Sequence, residues 1–100
     1  MIKVSVLYPK GDNTHFDIDY YCNTHMPLVQ KYLGSACKSV AAEEGVDPDQ
    51  PYHAMGHMYF EDVEEFQQAF GPNAEQIGAD VPKFTDAAML LQISNVKIPI

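Results

Sequence analysis

The run Phe16-Asp17-Ile18-Asp19-Tyr20-Tyr21-Cys22-Asn23-Thr24-His25-Met26-Pro27-Leu28-Val29 decides how the chain is read. Asp17 reads as a helix N-cap, because its carboxylate can accept the free amide protons of the first turn. Phe16 before the cap and Tyr21 beyond it have the spacing of a hydrophobic staple. An apolar stripe at helical spacing then runs through Ile18, Tyr21, Cys22, His25, Leu28, Val29, Tyr32 and Leu33, and Gly34 closes the helix. Pro27 interrupts it, since it cannot donate to the carbonyl of Asn23 and its ring crowds that carbonyl. The helix can kink there, or it can break and restart with Thr24 as cap and Pro27 in the new first turn. In both cases His25 sits at an irregular turn on the apolar face.

Outward from this helix the pattern is regular. Before it, Ile2, Val4, Val6 and Tyr8 alternate with Lys3, Ser5 and Leu7, which predicts a half-buried strand ended by Pro9-Lys10-Gly11-Asp12-Asn13. After it, residues 37–44 predict a second strand and 53–61 a third, separated by a polar loop rich in Asp and Pro. Asp62-Val63-Glu64-Glu65 has capping-box spacing and opens a helix carrying Phe66, Ala69 and Phe70. Gly71-Pro72 stops it, and Asn73 reads as the cap of a short helix through Ile77 that ends before Pro82. Residues 86–96 predict the last strand.

Right-handed crossovers of this βαββαβ order predict an α+β, ferredoxin-like fold, a four-stranded antiparallel sheet with helices on one face. The other face would carry Lys3, Ser5 and Leu7, then Met55, His57 and Tyr59, then Leu90, Gln92 and Ser94. It is too apolar for water and too polar for a core. A homodimer closing two such sheets on each other is therefore expected over a monomer with one wet face.

Composition bounds the rest. A length of 100 residues predicts one domain spanning 1–100. Forty-six per cent hydrophobic residues, with 5 Met, 5 Phe and 6 Tyr, exceed what so small a core needs, so some should face a partner or a ligand. The net charge of −8, with 6 scattered basic residues, argues against nucleic acid and anionic membrane surfaces. No apolar run has the length of a membrane span. Met1 to Ser5 lead straight into the strand pattern, with no charged leader or apolar signal core. Cys22 and Cys37 lack metal or redox spacing and read as reduced thiols. A cytoplasmic location is expected.

Several residues are candidates for chemistry. A half-buried His25 can act as acid, base or polar anchor near neutral pH, against the alternative of a core histidine with one hydrogen-bond partner. Its helix should cover the sheet face bearing Tyr8, Met58 and Phe60. Asp80 precedes Val81-Pro82 in a segment that should fold back over this region, where it either caps a turn or orients His25; the cap is the favoured reading. The hydroxyls of Tyr8, Tyr20, Tyr21 and Tyr32 could hold a ligand oxygen, or simply pack with the hydroxyl at the surface. His53 and His57 lie on a strand, about 13 Å apart, too far to share a metal ion. His57 should lie on the dimer face, and His15 should be solvated without a partner. Glu64 and Glu65 read as first-turn helix acids. No phosphate loop, dinucleotide fingerprint or nucleophile elbow is present, so an enzyme built on this chain would work without a cofactor or a metal.

The chain resembles the EthD family. The resemblance rests on Tyr8-Pro9, Phe16-Asp17 with Tyr20-Tyr21, His25-Met26-Pro27-Leu28-Val29, Leu33-Gly34, His57-Met58-Tyr59-Phe60, Phe66, Ala69-Phe70-Gly71, and Ala79-Asp80-Val81-Pro82-Lys83-Phe84-Thr85-Asp86. It implies a dimeric α/β barrel of ferredoxin-like subunits, each with a pocket between helices and sheet. It also implies His25 as the functional histidine and Tyr8, Phe60 and Phe84 as aromatic lining. With Tyr21, Met58 and Asp80 these form the expected substrate-binding set. The function expected is binding of a small apolar or aromatic organic acid, lactone or polyketide-like molecule. It would be followed by cofactor-independent isomerase, cyclase or monooxygenase chemistry in degradative metabolism. The alternative is a non-catalytic ligand-binding or accessory protein of a degradative oxygenase system. A third reading is a structural dimer whose pocket is filled by its own side chains.

Overall fold

The N-terminal alternation becomes β1 (Ile2–Pro9), the centre of a sheet that the computed structural model describes within residues 1–99. β2 (Ser39–Glu44), β3 (Tyr52–Phe60) and β4 (Leu90–Asn95) complete it in the order β2-β3-β1-β4, all neighbours antiparallel. With the helices packed on one face, this is the expected ferredoxin-like α+β fold.

Register places every side chain of the sheet. Leu7 lies opposite Met55 and Leu90, Ser5 opposite His57 and Gln92, and Lys3 opposite Tyr59 and Ser94. Directly opposed residues share a face, so these nine form the open side, as the period of two required. The helix side carries Ile2, Val4, Tyr8, Ala54, Met58 and Phe60, all buried. On the open side, Ser5 donates to His57 Nδ1 (2.8 Å) and His57 Nε2–H donates to Glu43 (2.7 Å).

The first helix is assembled in three pieces. Asp17 caps α1 (Ile18–Tyr20), accepting the Tyr20 amide at 3.0 Å, and the staple rings of Phe16 and Tyr21 meet at 5.1 Å. Tyr21–His25 forms a π-helical turn in which Met26 donates its amide to the Tyr21 carbonyl, and α2 (Met26–Leu33) comes next with Pro27 in its first turn. The wide turn is a third solution to the proline problem, neither a break capped by Thr24 nor a simple kink. It draws the Asn23 carbonyl away from the Pro27 ring, at a position where no amide proton was available. The extra residue rotates the remainder of the helix by about 100°. The buried face accordingly runs through Tyr21, His25, Met26, Val29 and Leu33. Cys22 and Tyr32, which a regular spacing turns inward, are exposed, and Met26 replaces Leu28 on the buried face. Gly34 then takes φ +64°, a conformation that favours glycine, to end the helix.

The second half differs from expectation mainly at its ends. Asp62 caps α3 (Val63–Phe70) through the Glu65 amide at 2.8 Å. Asn73 does not cap α4 (Ala74–Asp80); its side-chain amide donates to the carbonyls of Tyr32 and Ala69, pinning α4 to its neighbours. The last strand starts at Leu90, because the preceding residues are tied to the loop before the first helix. Thr85 pairs with Phe16 and donates to the His15 carbonyl, and Asp86 accepts the His15 amide. His15 therefore has a partner, its ring lying 3.3 Å from the Asp86 carboxylate. The second strand starts at Ser39, because Cys37 donates to Gly34 in a tight turn.

The rotated helix face has a direct consequence for stability. Met26→Ala should cost about 2–4 kcal/mol in urea unfolding, by loss of burial and a residual cavity. Cys22→Ala should stay within about 0.5 kcal/mol of the parent. Equal costs at the two positions would restore the unbroken helical stripe.

Candidate functional site

Between the first helix and the sheet lies a cavity of about 300 Å³. Its floor is Val6 and Tyr8 of β1 with Gly56 and Met58 of β3. Tyr21, His25, Met26 and Val29 form one wall, and Phe66, Phe70 and Ile77 the opposite one. The most exposed lining residues are Gly78 of α4 with Met89 and Leu91 at β4, so the mouth opens between these two elements. Gly56 is required by the Tyr21 ring: a methyl group there would overlap the Tyr21 hydroxyl.

His25 projects from the wide turn and is 4 % exposed. Its Nδ1–H donates to Asp80 Oδ2 across 2.9 Å. Asp80 stands at the end of α4, 7 % exposed, and its other oxygen accepts the Tyr20 hydroxyl at 2.8 Å. Lys83 Nζ lies 3.7 Å from that same oxygen. The His25 ring is stacked on Tyr21 (5.6 Å, 18°) and tilted on Phe84 (4.5 Å, 50°), so its orientation is fixed on both sides.

Electrostatics assigns the protons. Burial pushes the His25 imidazole below its ordinary range, while the hydrogen bond and charge of Asp80 act against this. Burial alone would raise Asp80, but hydrogen bonds from His25 and Tyr20 outweigh it and hold the carboxylate below its usual range. The pair is thus a neutral imidazole on an ionised carboxylate. A carboxylate can only accept, so the proton sits on Nδ1 and Nε2 keeps its lone pair. Burial raises both phenols, Tyr8 and Tyr21, above the tyrosine range, the Tyr21 hydroxyl partly offsetting this for Tyr8. Both remain protonated hydrogen-bond donors at neutral pH.

Of the residues singled out from sequence, His25, Tyr8, Tyr21 and Met58 line the cavity. Phe60, Asp80 and Phe84 do not. Phe60 is enclosed in the core beside Phe66, with their rings 5.1 Å apart. Phe84 backs Tyr8, Tyr21 and His25 from behind. Asp80 reaches the cavity only through His25, and its side chain caps no turn. The capping preference for Asp80 is therefore corrected: it holds His25. Sequence reasoning did not assign Phe66, Phe70, Ile77, Met89 or Leu91 to a site, since each reads as ordinary core or strand. The signal that could have found Met26 is the proline one residue later, which shifts the helical phase.

The neutral imidazole and the crowded glycine can each be tested in solution. The depressed His25 contributes stability that is present above the ordinary histidine value of about 6.5 and is lost as pH falls through its lower folded value. Urea unfolding should therefore weaken on acidification below about pH 6.5, and His25→Gln should flatten that arm; an unchanged slope contradicts the neutral imidazole. Gly56→Ala should cost about 1–3 kcal/mol by overpacking. Adding Tyr21→Phe should recover part of it, which a double-mutant cycle measures.

Comparison with known proteins places the chain. The EthD domain model matches residues 14–88. The chain is similar to an EthD-like protein from Ralstonia eutropha JMP134, at 37% identity over 97% of this chain and 92% of that one, with a TM-score of 0.87. It is also similar to an EthD family protein from Bacillus halodurans C-125, at 26% identity over 96% and 98% of the two chains, with a TM-score of 0.73. A dimeric protein of unknown function and ferredoxin-like fold from Bacteroides fragilis shares the fold at 9% identity, covering 95% of each chain with a TM-score of 0.59. No curated protein matches the chain. The domain match over three quarters of the sequence, joined to the sheet order and the close likeness to the Ralstonia protein, makes this chain a member of the EthD family.

Proposed function

We propose that this protein binds one small, largely apolar, uncharged molecule carrying a carbonyl or phenolic oxygen, and that His25 moves a proton on it without a cofactor. The observation that carries this reading is the engagement of His25 Nδ1 by Asp80 at 2.9 Å, which leaves the Nε2 lone pair as the free proton acceptor that His25 offers on the cavity wall. No Lys or Arg lines the cavity, so an anionic ligand would lose its hydration without a counter-charge. That narrows the expected ligand from an organic acid to a neutral ketone, lactone, quinone or phenol.

Nε2 takes a proton from the carbon next to a carbonyl, and the electron pair moves to the oxygen. Tyr8 or Tyr21 donates a hydrogen bond to that oxygen as it gains charge, and Asp80 stabilises the imidazolium. Where the enolate is conjugated to a double bond, return of the proton to the far carbon completes an isomerisation. Where the enolate carbon instead attacks a second carbonyl, a ring C–C bond forms and the imidazolium gives its proton to the resulting alkoxide, which completes a cyclisation. The cavity offers a single base and no nucleophile, which favours one second reading, a ligand carrier in which His25 only orients the oxygen.

The open sheet face is proposed to pack on a second copy of the chain. Leu7, Met55 and Tyr59 are half-buried there, and Leu90 is 54 % exposed. A Ser5–His57–Glu43 hydrogen-bonded row at its centre can be satisfied in a dry interface. Cys22 and Cys37 are unpaired thiols, as expected in a reducing compartment, and no helix among the described residues is long and apolar enough to cross a membrane.

2-Tetralone, a neutral bicyclic ketone with exchangeable hydrogens beside its carbonyl, tests the reaction. In deuterated buffer the protein should accelerate deuterium entry into it by about 100-fold or more, and His25→Ala should abolish the gain. Binding seen as line broadening with no acceleration would select the carrier. For the assembly, sedimentation should give a dimer at micromolar concentration and a monomer for Leu90→Asp. A monomeric parent contradicts the face-to-face pairing.

A further inference from the structure

The apolar cavity leaves unexplained why Asp80 carries a second short hydrogen bond on the side away from His25. Tyr20 supplies it. This residue ends α1, and its own amide is the one that Asp17 caps, so its backbone is held at 3.0 Å from the capping oxygen. Its ring stacks on Phe84 (6.3 Å, 20°), the same ring that tilts against His25. Backbone and ring together deliver the hydroxyl to Asp80 Oδ1 at 2.8 Å.

The carboxylate is thereby divided between two donors. Oδ2 serves His25 and Oδ1 serves Tyr20. Asp80 is 7 % exposed, so little of its carboxylate is open to water while the phenol is in place. Lys83 Nζ, on a largely exposed side chain 3.7 Å from the same oxygen, supplies charge there but no hydrogen bond at that distance. Two donors on one carboxylate compete for the same charge. The stronger the hold of Tyr20, the less negative charge is left to stabilise a positive imidazolium at His25.

We propose that Tyr20 is a positioning residue of this site, which fixes the Asp80 carboxylate and withholds part of its charge from His25, so that the imidazole stays a neutral base at the cavity wall. The inference rests on the reading of His25 as the working group. The titratable groups that face the dyad are Tyr20 from α1, Tyr21 from the wide turn, Tyr8 from β1 and Lys83 from the turn after α4; β3 presents Gly56 and Met58, which do not titrate. Tyr8 and Tyr21 are protonated throughout the histidine range, so the changes at His25 come from the carboxylate and the groups that bind it.

Tyr20→Phe keeps the ring on Phe84 and removes only the hydroxyl. In protein carrying 13C-labelled histidine, the His25 Cε1 resonance followed against pH should titrate higher by about 0.5 of a pH unit in Tyr20→Phe. Adding Asp80→Asn to both parents should erase the difference. Should Tyr20→Phe not fold, 3-fluorotyrosine placed at position 20 reads the same coupling in the opposite sense: a more acidic phenol donates more strongly, and His25 titrates lower. Superimposable titrations overturn the proposal, as does a difference that survives Asp80→Asn. A purely structural role for Tyr20 would alter unfolding without moving the His25 titration. The experiment needs no ligand, so its failure is distinct from failure of the 2-tetralone exchange to depend on His25.

Discussion

Pro27 has no amide proton, and the site depends on how the first helix absorbs that fact. A regular α-turn would drive the proline ring into the Asn23 carbonyl. The Tyr21–His25 segment widens instead, and the Met26 amide reaches back to Tyr21. That one inserted residue changes which side chains face the sheet. It brings Met26 inward beside His25 and turns Cys22 out. The histidine therefore leaves the helix at its widest point, where it can reach both the cavity and the end of α4. π-turns of this kind recur where a helix must present a functional side chain, and here the proline supplies the cause.

The His25–Asp80 pair joins segments 55 residues apart. An isolated carboxylate at this depth would be costly, and the fold offsets the cost by giving it two donors and a nearby cation. Polar groups are otherwise few around the cavity. The imidazole and two phenols are set in a wall of Val, Met, Phe, Ile and Leu side chains. Low polarity strengthens each hydrogen bond a ligand oxygen would receive, and it also keeps the phenols and imidazole uncharged. Recognition of a neutral, mostly apolar molecule and readiness to move a proton thus arise from the same dry surroundings.

Much of this was legible in the residues because it is local or strictly periodic. Asp17 and Asp62 as caps, the Phe16–Tyr21 staple, the Gly34 stop and the nine residues of the open sheet face are all set by spacings of a few residues. The errors have tertiary causes. Residues 86–89 carry strand-like alternation but are captured by the His15 loop through Thr85 and Asp86. Asn73 has the chemistry of a cap, yet finds better acceptors at Tyr32 and Ala69. The pairing of Asp80 with His25 is only the less favoured of two sequence readings, because no spacing in the chain between them fixes the approach. Phe60 and Phe84 enter the expected lining through the family resemblance, whereas Phe60 packs in the core against Phe66 and Phe84 backs Tyr8, Tyr21 and His25. The family assignment was legible from the histidine-proline block and its flanks, and it stands on the EthD match over residues 14–88.

The central claim is that His25 is neutral at physiological pH, with its proton on Nδ1 facing Asp80 and its lone pair on Nε2 facing the cavity. Long-range 1H–15N correlation spectra of the unliganded protein at pH 7 report this tautomer directly. A protonated Nδ1 and a bare, pyridine-like Nε2 are expected for His25. A protonated Nε2, or an imidazolium with both nitrogens protonated, would contradict it.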